Sequence, residues 1–321
     1  MEALRLTPAY KDYLWGGQRL KNEYGKITDL PVVAESWELS LNDAGLSSVA
    51  NTGVTLREWL RYPQGFPILV KLIDAKEDLS VQVHPGDAYA QRVEGGFGKT
   101  ELWYVVDHDP DAALYIGFNR RVTRSEVEEA VRSHRLRELL RRVSVRRGDV
   151  YFIPAGTVHA IGKGNLLAEI QQNSDVTYRL YDYGRRGADG KPRELHVEKA
   201  LEVMDFDQAP PIVMSGEILR SDDACRETLL NACPYFRVHS VETVRESVFE
   251  TAGAGCFELL LFLGGAGIVA LDGVHGSPIS VCKGESVFIN SGPGRYRIGG
   301  SATFLRVLGR CVAAMDGYKP L

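Results

Sequence analysis

The side chains best suited to chemistry in this sequence are a few histidines and acids set beside turns and strand ends. His159 directly follows a Pro-x-Gly turn in VRRGDVYFIPAGTVHAIG, residues 145–162, and it is one of only seven histidines in 321 residues. A turn fixed by Pro154 and Gly156 delivers the imidazole from the start of the next strand, where its neighbours can hold it rigidly. Upstream, LSVQVHPGD places Gln82 and His84 two residues apart on a strand, hence on one face, and Pro85 ends that strand. After a turn-rich loop, EGGFGKTELWYVVD starts another strand at Glu101. Imidazoles and carboxylates bind metals and move protons near neutral pH. A lone histidine beside a turn is more commonly just hydrogen-bonded, so it is the combination that points to a site.

Gly148, Pro154, Gly156 and His159 make Gly-x5-Pro-x-Gly-x2-His, which resembles the second signature of the cupin superfamily of small β-barrels, whose histidine binds a metal. On that resemblance Gln82, His84, Glu101 and His159 form a mixed nitrogen and oxygen set suited to zinc, and acceptable to manganese or iron.

The elements that must position these residues are short β-type runs separated by Gly-rich turns, among them PILVKLIDA, ELWYVVD, DVYFIPAG, NLLAEIQQ and FELLLFLGG. Such spacing predicts a mainly β fold of barrels or sandwiches. One helical insertion is expected over 123–143, capped by Thr123 or Ser125, with Val127, Val131, Leu136, Leu139 and Leu140 on its apolar stripe. A second helix is expected within 193–206, followed by a Pro-rich linker at 207–217. The strand-turn unit at 147–161 recurs at 283–298, aligning Gly148 with Gly284, Phe152 with Phe288 and Gly156 with Gly292, while His159 meets Arg295. The expected organisation is therefore two cupin-like β-barrels (jelly rolls): 1–206 with the metal site, and 218–321 without one.

Composition narrows the function. A hydrophobic share of 44% and a charged share of 25% describe a chain that folds in water. The net charge of −4 gives no general attraction to nucleic acid or anionic membrane. No stretch approaches the ~20 apolar residues of a membrane span, and a cytoplasmic location is expected. The five cysteines, Cys225, Cys233, Cys256, Cys282 and Cys311, lack a Cys-x-x-Cys pair and read as packing residues of a reduced protein. EGGFGKT fails as a nucleotide-binding P-loop because Val93 stands where the first glycine belongs. Trp15 of LWGG reads as core.

A closer resemblance rests on VKLIDAKEDLSVQVHP, GKTELWYVVD, IPAGTVHA and EIQQNSDVTYRLYDYGR, with LWGG near the start and ESWELS at 35–40. In this order they resemble the bacterial class I mannose-6-phosphate isomerases over about residues 7–205. The resemblance implies one zinc ion per chain on Gln82, His84, Glu101 and His159. It further implies an active-site arginine at Arg179, a carboxylate at Glu169 and a lysine at Lys99, as catalytic groups or substrate contacts. The implied reaction interconverts mannose 6-phosphate and fructose 6-phosphate through an enediol, with a small sugar phosphate as the partner. The competing functions are a metal-dependent cupin oxygenase and a non-catalytic sugar-phosphate binding protein.

Overall fold

A computed structural model describes residues 1–310 except 62–65, 188–189, 208–211, 274–276 and 291. The chain is mainly β, as the run spacing predicts, and every strand pairing is antiparallel among the described residues. Three large sheets of five, seven and ten strands lie in layers, and none of them closes into a barrel.

The seven-stranded sheet is the middle layer, which explains why its strands are apolar on both faces. Ile68–Ala75 is buried along its whole length. Val70 and Leu72, with Leu102, Leu166, Ala168 and Ile170, share one core with Leu259, Phe288 and Val307 of the ten-stranded sheet. The alternate residues Ile73, Trp103, Val105 and Leu167 share another with Leu114, Ile116 and Ile161 of the five-stranded sheet. The outer face of the five-stranded sheet is covered by helices, through Val127, Leu136, Ala200 and Leu201.

The insertion over 123–143 is shorter and more broken than its apolar spacing predicts. Thr123 caps a helix at Arg124–Arg132 in a reciprocal capping box with Glu126. His134 then takes a left-handed φ of 59° and ends it. A single turn at Leu136–Leu139 follows, and Leu140–Ser144 is a strand paired with Ala113–Phe118. The second helix covers Val197–Val203.

Of residues 207–217, positions 208–211 lie outside the described residues, and Ile212–Val213 pairs with Val150–Ile153. The strand Glu2–Thr7 joins the ten-stranded sheet beside Ser286–Asn290. The recurrent strand-turn unit opens alike at both sites, since Gly148 and Gly284 have φ of 90° and 89°, each just ahead of its strand, but the later turns differ: Gly156 has a left-handed φ of 88° and Gly292 does not. Cys225 and Cys256 are buried, but Cys282 is exposed because it faces out at the end of its strand, and Cys311 lies outside the described residues. Trp15 is buried, as expected. No helix among the described residues is long and apolar enough to cross a membrane.

Candidate metal centre and active-site cavity

Two transverse rows of side chains face each other between the five- and seven-stranded sheets. On the seven-stranded side the register aligns Trp37 with Lys71, Lys71 with Glu169, and Glu169 with Trp103. On the five-stranded side it aligns His159 with Gln82 and Gln82 with Arg179. Strand alternation accounts for both, since each residue sits at an inward position of its own strand.

His84, Glu101 and His159 converge at one end. Their ligand atoms lie within 4.8 Å of one another, and all three residues are buried. His84 Nε2 is 3.4 Å from Glu101 Oε1, and His159 Nε2 is 3.6 Å from Glu101 Oε2. Each imidazole has its Nδ1 2.9 Å from a backbone carbonyl, that of Val176 for His84 and that of Thr157 for His159. The proton therefore belongs on Nδ1, which leaves both Nε2 lone pairs turned toward the carboxylate. Glu101 is fully buried; its Oε1 is paired with Lys99, while its Oε2 has no hydrogen bond among the described residues.

Burial holds the His84 imidazole well below its ordinary pKa, and Lys99 and His159 reinforce this. Burial lowers His159 as well, against the pull of Glu101. Burial alone would raise the Glu101 carboxyl, but Lys99 and then His159 outweigh it, leaving its pKa below the ordinary value. Two neutral imidazoles with both Nε2 atoms turned toward a buried, ionised carboxylate are a donor set that fits a divalent cation. Gln82 adjoins the cluster, its Nε2 3.4 Å from His159 Nε2, and a flipped amide would present its oxygen instead. Lys99 is buried here, with Nζ 2.6 Å from Glu101 Oε1 and 3.3 Å from His84 Nε2.

A cavity of about 340 Å³ adjoins the cluster through Gln82 and Lys99. Gln82, Lys99, Glu169 and Arg179 all line it, so the structure brings the sequence candidates together. Glu169 accepts a hydrogen bond from Trp103 Nε1 at 3.1 Å and faces Lys71 Nζ at 3.3 Å. Arg179 donates from Nε to Ser80 Oγ at 3.3 Å and from Nη1 to the Glu194 carbonyl at 3.0 Å. Burial lowers the Arg179 pKa, and the nearby Arg193 guanidinium adds to that. Two cationic groups side by side favour an anionic guest.

Sequence reasoning missed Glu35, Lys71 and Arg193, which share the cavity. Lys71 Nζ lies between Glu169 and Glu35, 3.4 Å from Glu35 Oε2, and Trp37 Nε1 donates to the same Glu35 oxygen at 2.6 Å. Burial opposes the charge on Lys71, but Glu35 and Glu169 prevail and raise its pKa. The available signal was the lone lysine within PILVKLIDA, a charge no buried strand carries without partners.

No family model matches the chain. Among curated proteins, the chain is 42% identical to the mannose-6-phosphate isomerase ManA of Bacillus subtilis over 252 residues, 74% of this chain and 78% of that protein. It is 36% identical to the mannose-6-phosphate isomerase of Streptococcus mutans over 253 residues, again 74% and 78% of the two chains. Among solved structures, a mannose 6-phosphate isomerase from Bacillus subtilis superposes with a TM-score of 0.87 at 32% identity, covering 96% of this chain and 99% of that one. With sequence and architecture shared over so much of both partners, the protein belongs to the mannose-6-phosphate isomerase family.

Proposed function

We propose that the protein is a zinc-dependent aldose–ketose isomerase that interconverts mannose 6-phosphate and fructose 6-phosphate through an enediol, in the cytoplasm. The observation that carries this is the convergence of His84, the buried Glu101 and His159 beside a cavity lined by Gln82, Lys99, Glu169 and Arg179. His84, Glu101, His159 and Gln82 would hold one zinc ion. When bound, the ion supplies Lewis-acid stabilisation of negative charge developing on the sugar oxygens.

The chain's own groups do the rest. Glu169, oriented by the Trp103 indole, is the base that moves the proton between C1 and C2. Lys71 holds Glu169 in place and balances its charge. Arg179 presents a planar fork to a substrate oxyanion. Lys99, beside the ligand carboxylate, contacts substrate oxygens from the cavity wall. Residues 1–206 form the catalytic cupin-like unit, 207–217 the linker, and 218–321 a second cupin-like unit without metal, in which Arg295 takes the place of His159.

The test is a coupled assay of fructose 6-phosphate formation, with and without a chelator and with zinc restored. Turnover should vanish on chelation, return with zinc and be indifferent to oxygen. Full activity after complete metal removal would refute the metal's role. Inactivity toward mannose 6-phosphate in the zinc-loaded protein would refute the reaction, and oxygen dependence would favour the oxygenase.

A further inference from the structure

The strand Glu35–Leu39 looks both ways. Glu35 and Trp37 face the cavity, while Ser36 and Glu38 face the ten-stranded sheet. Strict alternation would then put Leu39 on the cavity side, yet Leu39 is buried in the core shared with the ten-stranded sheet. The register explains it: Trp37 pairs with Lys71 and Leu39 with Val70, so Glu38 is the extra residue of a β-bulge. A bulge resets which face each residue occupies and re-aims its neighbours.

This extra residue is held unusually firmly. Glu38 is completely buried, and its Oε1 is 2.6 Å from Lys26 Nζ and accepts from Ser36 Oγ at 2.6 Å. Its Oε2 accepts from Ser286 Oγ at 3.1 Å, on the strand Ser286–Asn290. Lys26 also donates to the Gly284 carbonyl. Lys26 is turned inward because Gly25 closes the helix Arg19–Tyr24 in the left-handed conformation. The knot thus ties the bulge to the turn and strand that form the second copy of the repeated unit.

We infer that Glu38 is a positioning residue for the isomerase site: with Lys26 and Ser286 it fixes the bulge that aims Trp37 and Glu35 at Lys71, and through it the C-terminal sheet sets the geometry of the cavity. This rests on the isomerase proposal above. Lys71 receives Glu35 on one side and Glu169 on the other, and the Trp37 indole fixes Glu35. A strand free to slip at Glu38 would swing both Trp37 and Glu35, and Lys71, no longer held between two carboxylates, would shift the balance of charge and position at Glu169. The repeated unit that lost its histidine has therefore acquired a different task, that of a buttress.

The test separates aim from stability. In Lys26→Met/Glu38→Leu an apolar pair replaces a buried ion pair, an exchange that is often neutral for stability. The thermal midpoint and zinc content should stay near wild type while kcat falls at least about tenfold with KM little changed. The Trp37 indole N–H resonance, one of four and assigned with Trp37→Phe, should move in the metal-free protein, a readout independent of activity. Glu38→Gln, which keeps one acceptor oxygen for Ser36 and Lys26 and can donate its amide to Ser286 Oγ, should retain most of kcat. An unchanged Trp37 resonance, or a kcat within twofold of wild type in the folded pair variant, would overturn the inference. If the pair variant does not fold, Ser286→Ala decides in its place, with a moved resonance supporting the inference and an unmoved one refuting it. Wild-type inactivity toward mannose 6-phosphate would instead count against the reaction and leave the resonance test standing.

Discussion

Lys71→Met removes the one cation that, among the described residues, faces both Glu35 and Glu169. At 3.3 and 3.4 Å, each pairing has a Coulomb energy of about 5 kcal/mol at an effective dielectric near 20. Most of that is offset by the cost of keeping an ammonium out of water, but the offset vanishes when only the carboxylates remain. Breaking a buried pair from one side typically costs about 3–5 kcal/mol, and with two carboxylates abandoned the upper end is expected. Lys71→Met/Glu35→Gln restores the original net charge of the trio, and the amide oxygen that replaces the carboxylate can still accept from Trp37 Nε1. The double variant should therefore recover about 2 kcal/mol of the loss, the desolvation cost of one unpaired buried carboxylate after relaxation. Urea unfolding of wild type, both single variants and the double variant closes the cycle. A cost below about 1 kcal/mol for Lys71→Met, well under the usual cost of a broken buried pair, or a double variant no more stable than the single, would refute the claim that the two carboxylates depend on this lysine.

Three further outcomes are expected. Arg179→Lys keeps the charge but loses the fork, so kcat and kcat/KM should fall together by about 100-fold with zinc content unchanged; a rise in KM alone would assign the arginine to phosphate binding. In the metal-stripped protein, His84 and His159 have pKa values below that of an unfolded imidazole, so the unfolded state takes up more protons as pH drops through about 6.5. Stability should consequently fall below that pH and level off above it, and a profile flat from about pH 7.5 to about pH 5 would contradict the buried neutral pair. Gly148→Ala and Gly284→Ala meet the same backbone strain of about 1–3 kcal/mol, but only at Gly284 would the added carbon also collide with the Tyr24 carbonyl. Thermal unfolding should show Gly284→Ala to be the costlier by at least about 1 kcal/mol, the scale of an overpacked contact, and equal costs would argue against docking at that turn.

The metal-centre candidates were legible because local chemistry announces them. A turn motif ahead of His159 and the two-residue period that pairs Gln82 with His84 are properties of short segments. Glu35 and Lys71 were not legible as partners, because their meeting depends on the pairing of Glu35–Leu39 with Ile68–Ala75, and that register includes a bulge no local pattern reveals. The break at His134 was hidden for a related reason. Leu136, Leu139 and Leu140 fit a helical stripe, yet Leu140–Ser144 is claimed by a strand partner, and tertiary pairing overrides the local preference. The layered sheets were readable only as a class, since nothing in the spacing of β runs says which faces meet.

The pairing of Glu2–Thr7 with Ser286–Asn290 sets a timetable for the growing chain. A strand made early belongs beside one made much later, and at roughly 5–20 residues per second the wait is about 15 to 60 s. Until then the seven-stranded sheet lacks the layer that covers its outer face, and Glu38 lacks Ser286. The nascent protein can gather its candidate metal ligands early, but it carries an uncovered apolar face until synthesis passes Asn290. Chaperone demand should therefore peak late in translation, after the side chains that line the cavity have all been made.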